Sequence, residues 1–205
     1  MGRLRLLLWL DIALKAALVG LIVLAVVRAD LPQLEGKAFT ARALVYPWAI
    51  LIVPLGWWIA QRRRRQPIAF PYAMDILLVL PFLVDVASNV ADLYDKVAWW
   101  DLFTHFVNWA VLTAAFGQLL LRLRLERLTI GALCVGFGAV IAILWEFAEY
   151  VTFIRNSPEL ETAYTDTLGD MALGLSGSIA AALVTALALS PASRTTTGSD
   201  DRPGG

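Results

Sequence analysis

Strongly apolar segments of the chain contain three pairs of ionisable residues, which together comprise five carboxylates and the only histidine. The three pairs are Asp101 with His105, Glu146 with Glu149, and Asp166 with Asp170. The members of a pair are three or four residues apart, so a helix would present both side chains on one face. Each segment can therefore deliver two ligands, or two proton-transfer groups, to a single site.

This set of side chains predicts a site for a divalent cation. Carboxylates crowded together in an apolar medium repel one another and are poorly solvated, unless a cation lies among them. Oxygen ligands with a single imidazole suit Mg²⁺, Mn²⁺, Zn²⁺ or non-haem iron. We expect all six paired residues to be metal ligands, and Glu146 and Glu149 to serve as catalytic acid or base as well. Asp85, which shares a helical face with Asn89 and Asp92, is a further candidate.

The composition places these residues in a membrane protein. The chain has 205 residues, of which 59% are hydrophobic and only 17% are charged, whereas soluble domains are clearly less apolar. Its 17 basic and 17 acidic residues cancel, so no net charge favours nucleic acid as a partner. Cys134 is the only cysteine, which excludes an internal disulfide and a cysteine-based zinc site. We also find no P-loop and no serine or cysteine nucleophile motif.

Six apolar segments of bilayer length predict an all-α bundle of about six transmembrane helices. The segments cover about residues 6–27, 43–60, 72–91, 101–121, 128–151 and 166–189. Each is close to the roughly 20 residues that cross the hydrocarbon at 1.5 Å per residue. The first carries Asp11 and Lys15 and lacks a cleavage site, so we interpret it as a retained span. We expect one transmembrane domain, residues 1–190, and a disordered polar tail, residues 191–205.

Basic residues predict the orientation of the bundle. They accumulate at the N-terminus, between spans two and three, and between spans four and five, as Arg3, Arg5, Arg62, Arg63, Arg64, Arg65, Arg122, Arg124 and Arg127. The positive-inside rule makes these segments cytoplasmic, which puts both termini inside a bacterial cytoplasmic (inner) membrane. The acidic pairs then lie in the extracytoplasmic third of the bundle. Four spans would deliver ionisable groups to this one layer.

Small residues continue the acidic stripes toward the cytoplasm. Gly138 and Ala142 precede Glu146 at four-residue steps, and Gly174 and Ser178 follow Asp170 in the same way. Small residues mark the faces along which membrane helices approach closely. The acids are therefore predicted to point into the bundle and away from lipid.

Structural explanations stay open for several of these residues. Asp101 and Asp166 could do no more than complement helix N-termini, and Asp11 with Lys15 could form an intrahelical ion pair. The remaining buried groups could be a hydrogen-bonded network that only locks the helices together. The tryptophans at the outer end of span four fit an interfacial aromatic belt; they are Trp99, Trp100 and Trp109.

Three motifs carry a resemblance to a known family. WDLFTHF, WEFAEY and DTLGDM, in this order, resemble the YjdF-type family of small bacterial inner-membrane proteins and, more distantly, the VanZ-like membrane proteins. The resemblance covers about residues 72–190. It departs at Asn108 and Trp109, where a glycine is expected soon after the His-Phe pair. It implies a fold and a site but no reaction. The matching positions are Asp101, His105, Phe106, Glu146, Glu149, Asp166, Thr167, Asp170 and Met171.

Two classes of function follow from the sequence, and a third is structural. The first is a membrane enzyme or lipid-modifying factor in which a cation and a glutamate base act on a lipid head group or phosphate. The second is a proton- or cation-coupled transporter, although transport sites usually reach the midplane and no internal repeat is evident here. The third is a regulatory or assembly protein with a structural polar layer. Membrane lipid is the expected partner in each case, with a lipid or small molecule as substrate in the first.

Overall fold

The computed structural model describes residues 2–123, 125–152 and 154–189, and helices dominate all three stretches. The α-helices are α1 (Gly2–Val27), α2 (Phe39–Val45), α3 (Pro47–Arg62), α4 (Tyr72–Val90), α5 (Leu93–Lys96), α6 (Trp100–Leu120), α7 (Arg127–Thr152) and α8 (Ala163–Leu183). Short 3-10 turns at Ile154–Asn156 and Pro158–Glu161 connect α7 to α8, and a π-helical turn, Val184–Leu189, continues α8. The predicted polar tail, residues 191–205, lies outside the described residues.

The all-α membrane architecture is confirmed. Among the described residues, five segments are long and apolar enough to cross a bilayer: α1, the α2–α3 pair, α4, α7 with the turn that follows it, and α8 with its π-helical extension. The fourth predicted span, α6, has 21 residues, which is long enough at 1.5 Å per residue, but it is not among these apolar segments. Its polar side chains, including Asp101, His105 and Asn108, lower its hydropathy.

Helix α6 lies at the centre of the bundle, which explains how it tolerates these polar groups. It packs against α4, α7 and α8, while α1 and α3 pack against the far side of α4. Large apolar side chains on the outer helices are exposed, such as Val23 on α1 and Ile52 on α3. A surface of this kind suits lipid, whereas the polar face of α6 is covered by other helices.

The predicted small-residue stripes lie at the contacts of α6 and α7 with α8. Gly138, Ala142, Gly174 and Ser178 are all buried. A Cβ atom at Gly174 would lie 2.5 Å from Cδ1 of the Trp109 indole, so the glycine makes room for that ring. The resemblance leads us to expect a glycine near position 108 on α6. In this chain the small residue at that contact is instead Gly174 on the facing helix, α8. The assignment of Trp109 to an interfacial belt is wrong, since its side chain is only 4% exposed.

The second predicted span begins earlier than expected. Helix α2 starts at Phe39 and is separated from α3 at Tyr46, directly before Pro47, which cannot donate a backbone hydrogen bond. This brings Arg42 into the helical bundle. In contrast, Pro81 does not interrupt α4, which is continuous from Tyr72 to Val90.

Candidate functional site

His105 is the centre of the buried polar cluster. It lies one turn after Asp101 on α6, where the adjacent faces of α7 and α8 bring Glu146 and Asp170 toward it. Its Nε2 atom is 3.6 Å from Oδ1 of Asp101 and 3.7 Å from Oδ1 of Asp170. Its Nδ1 atom is 3.8 Å from Oε1 of Glu146. The two ring nitrogens therefore face different carboxylates.

These side chains form two groups that could each hold a metal ion. One contains Asp101, His105 and Asp170, and the other contains His105, Glu146 and Glu149; within each group the candidate ligand atoms lie within 4.8 Å of one another. The groups share only the imidazole. Three elements, α6, α7 and α8, therefore contribute ligand atoms at one level of the bundle.

The centre of the cluster is shielded from solvent. His105, Glu146 and Asp170 are 8%, 5% and 3% exposed. Among the described residues, neither Nδ1 of His105 nor Oδ1 of Asp170 has a hydrogen-bond partner. Buried polar atoms of this kind are costly unless something binds them.

The other predicted ligands lie nearer the surface. Asp101 and Glu149 are half-buried, and Asp166 is exposed. Asp166 lines the neighbouring cavity but belongs to neither group of candidate ligand atoms. Asp101 and Asp166 both lie in the first turn of their helices, yet the residues that precede these helices, Trp99 and Thr162, make no side-chain capping hydrogen bond.

Asp85 is held by residues other than the cluster. The Tyr46 hydroxyl donates a hydrogen bond of 2.5 Å to Oδ2 of Asp85, and Nε of Arg42 donates one of 2.9 Å to the same oxygen. The side-chain amide of Asn89 donates to Oδ1 of Asp85 at 3.2 Å. Arg42 also donates to the backbone carbonyl of Lys37. Asp85 therefore fastens α2 to α4 and has little capacity left for a metal.

A cavity of about 270 Å³ joins the cluster to this ion pair. Its lining includes seven carboxylates but only two cationic side chains, Lys37 and Arg42. Its apolar and aromatic lining residues are Tyr46, Pro81, Phe82, Tyr94, Trp109, Leu112, Ile141, Trp145 and Ile154. The cavity is thus strongly acidic and is also lined by aromatic rings.

Arg42, Tyr46 and Lys37 are cavity residues that the sequence motifs did not identify. The available signal was their location: Lys37 and Arg42 lie on the predicted outer side, where the positive-inside rule disfavours basic residues. A basic residue in that position is typical of a specific pairing, here Lys37 with Asp95 at 2.8 Å and Arg42 with Asp85.

A family model described as "Predicted membrane protein (DUF2238)" matches residues 11–191 of the chain. The chain belongs to this family. It is the YjdF-type family that the three motifs indicated, and the match extends the likeness from about residues 72–190 to the first two spans. The family has no assigned function. A search of curated proteins and a search of solved structures each found no match.

Membership of DUF2238 supports a multi-pass membrane protein. Because the family has no assigned function, the role of the polar cluster has to be inferred from its geometry. All the residues that line the cavity lie within the matched region, and so do both groups of candidate ligand atoms.

Proposed function

We propose that the protein is a metal-dependent membrane enzyme of the bacterial cytoplasmic membrane whose divalent cation binds Asp101, His105 and Asp170. The observation that carries the proposal is the spacing around Nε2 of His105. Its distances of 3.6 and 3.7 Å to the two carboxylate oxygens are too long for hydrogen bonds. Ligand atoms that share one metal, with bonds of about 2.0 to 2.2 Å, lie roughly 3 to 3.6 Å apart. A small contraction of the site would close this shell.

The charge balance of the cavity supports a cation. Seven carboxylates and two cationic side chains line it, and both cationic side chains are already paired with carboxylates, Asp85 and Asp95. The five remaining carboxylates face one imidazole. A bound divalent cation would offset much of this excess and would use the unpartnered oxygen of Asp170.

The two nitrogens of His105 suggest separate roles for the two groups of acids. A histidine that binds metal through one nitrogen usually donates its other N–H to a carboxylate, which fixes the tautomer and the ring orientation. Glu146 lies on the Nδ1 side and is suited to this orienting role. Glu149, which is half-buried next to Glu146, is suited to accept a proton from a reacting water.

The expected reaction is hydrolysis or transfer at a lipid head group or phosphate group. A bound divalent cation supplies Lewis acidity and lowers the pKa of a coordinated water. The partly exposed side chain of Asp101, at 40%, leaves the metal side of the cavity open to a polar group from outside. The apolar and aromatic part of the lining accommodates an apolar portion of the same molecule, so the cavity suits an amphiphilic substrate.

The metal proposal is tested by elemental analysis of protein purified in mild detergent. We expect about one equivalent of a divalent metal in the wild type and in Asp166→Asn, which changes an exposed carboxylate on α8 outside both groups. Asp170→Asn, one turn further along α8, should lose the metal. A wild type that neither contains nor takes up Mg²⁺, Mn²⁺, Zn²⁺ or Fe²⁺ would overturn the proposal.

A further inference from the structure

A second set of buried ionisable residues lies away from the cavity, between α1 and α4. Lys15 on α1 donates hydrogen bonds to two carboxylates: 2.5 Å to Oδ2 of Asp75 on α4 and 3.0 Å to Oδ2 of Asp11 one turn earlier on α1. The sequence predicts the pair of Asp11 with Lys15, which is confirmed. Asp75 is the unexpected third member.

The three side chains are enclosed by apolar groups. Asp75 is fully buried, Asp11 is 5% exposed, and the Lys15 side chain is 16% exposed. The Lys15 ammonium also lies 6.0 Å from the centre of the Phe70 ring. One ammonium therefore faces two carboxyl groups in an apolar setting. If both carboxyl groups were ionised, the set would carry a net charge of about −1, which is costly there.

Each carboxyl group keeps one unused oxygen. Oδ1 of Asp11 and Oδ1 of Asp75 are buried and have no hydrogen-bond partner among the described residues. Oδ2 of Asp11 and Oδ2 of Asp75 contact the same ammonium, so the two carboxyl groups are neighbours. A single proton held by this pair would supply a hydrogen-bond donor to the buried oxygens and remove the excess charge.

We propose that Asp11 and Asp75 share one bound proton at neutral pH, and that with Lys15 they form a proton-binding site between α1 and α4. A metal cation fits poorly because Ca²⁺ takes six to eight oxygen ligands and Mg²⁺ takes six. Only two side-chain oxygens of this site are unused, and the Lys15 ammonium already supplies positive charge to both carboxyl groups.

In the part of the chain that the structure describes, Lys15 is the cation that contacts Asp11 and Asp75. Other charged groups on the neighbouring helices are engaged elsewhere: Arg42 on α2 with Asp85, Arg62 on α3 over the Trp58 ring, and Asp101 and His105 on α6 at the cavity. Loss of the shared proton would leave an uncompensated charge between α1 and α4. The contact between these helices is therefore stronger when the proton is bound and weakens at alkaline pH.

Infrared difference spectroscopy of the purified protein at neutral pH tests the site. We expect Asp75→Asn and Asp11→Asn each to lose the absorption of one protonated carboxyl group relative to the wild type, since the remaining carboxylate is neutralised by Lys15. The double variant should lose no more than either single variant. Lys15→Met should gain one protonated carboxyl group, because both acids are then without a cation.

Asp95→Asn is the matched control, because Asp95 is an exposed acid paired with Lys37, and its spectrum should show no loss. Circular dichroism establishes that each variant is folded, and the two nearly isosteric Asn variants suffice if Lys15→Met does not fold. Unchanged absorption in both Asn variants would mean that the carboxyl groups are fully ionised. A loss in only one of them would mean that the proton is not shared. Either result overturns the proposal, and neither bears on the metal site.

Discussion

His105 presents its two ring nitrogens to different carboxylates, and this division is the main determinant of what the cluster can do. Nε2 faces Asp101 and Asp170, whereas Nδ1 faces Glu146. If a cation binds on the Nε2 side, Glu146 becomes the group that orients the imidazole. The opposite assignment would place the cation with Glu146 and Glu149 and leave Asp170 without a partner for its buried oxygen.

Glu146→Gln separates a functional acid from a structural one. The amide keeps an acceptor for the N–H of His105 but removes a negative charge from a crowded layer. The metal-free variant should therefore melt at the same temperature as the metal-free wild type or higher. Metal affinity should fall by about 10- to 100-fold, as is typical when the partner of a ligating histidine is changed. Thermal unfolding in detergent over a series of metal concentrations measures both effects.

The same measurement identifies a purely structural network. In that case the variant would melt well below the metal-free wild type, because a buried polar group left unpaired costs about 1 to 3 kcal/mol. The wild type would also show no response to any divalent cation. Asp166→Asn serves as the matched change of charge at an exposed position.

At the residue scale, spacing predicted which side chains meet but not which of them are already paired. The i,i+4 and i,i+3 pairs place His105, Glu146 and Asp170 on inward faces, and all three are buried. Sequence spacing gave no indication that Arg42 and Tyr46 bind Asp85, since these contacts join residues about 40 positions apart. Helical periodicity describes one helix at a time, so partners on distant helices escape it.

At the scale of elements, the close approach of α6 and α8 sets the geometry of the site. Gly177 on α8 lies against the backbone of α6, where a Cβ atom would overlap the carbonyl oxygen of Phe106. One turn nearer the site, Gly174 accommodates Trp109. Asp170 lies one further turn along the same face. The glycines therefore determine how near Asp170 comes to His105.

Gly177→Ala should destabilise the protein, since the added methyl group meets backbone that cannot move independently. Overpacking of this kind costs about 1 to 3 kcal/mol, and we expect a clearly lower midpoint of thermal unfolding in detergent. Gly136→Ala on α7 is the control, because among the described residues a Cβ atom there would meet nothing within 4 Å beyond its chain neighbours and its own helix backbone. It should be neutral or stabilising by up to about 1 kcal/mol, as alanine favours helix. Equal midpoints for the two variants would contradict the close packing of α6 on α8.

The elements themselves were largely predictable from hydrophobic segments. The predicted limits of the third and fifth spans differ from those of α4 and α7 by at most one residue at each end. The error was greater at the second span, where apolarity alone did not reveal that α2 begins at Phe39. In the sequence, the charge of Arg42 makes this segment look like a loop outside the membrane. Its place in a helix is understood only once its pairing with Asp85 is known.

At the scale of the whole molecule, polar groups form two separate sets on α4. Asp75 is near one end of this helix and Asp85 is near the other, about 15 Å apart at 1.5 Å per residue. Between them the helix is packed in an apolar cluster that includes Val79 and, on α1, Leu18, both of which are fully buried. This apolar segment separates the cavity from Asp11, Lys15 and Asp75. It argues against a continuous path for ions between the two sets along the interface of α1 and α4.

The orientation of the bundle depends on whether α6 crosses the membrane, because α6 is the least apolar of the six long helices. Gln66 precedes α4 and Asn156 follows α7, and both are exposed. If α4, α6 and α7 all cross, these positions lie on opposite sides. Gln66→Cys should then react with a membrane-impermeant maleimide only in inverted vesicles, and Asn156→Cys only in spheroplasts. The native Cys134 is fully buried, so the wild type should stay unlabelled and serves as the background. Labelling of both positions from the same side would mean that α6 does not cross, and the cavity would no longer belong to the extracytoplasmic third of the membrane.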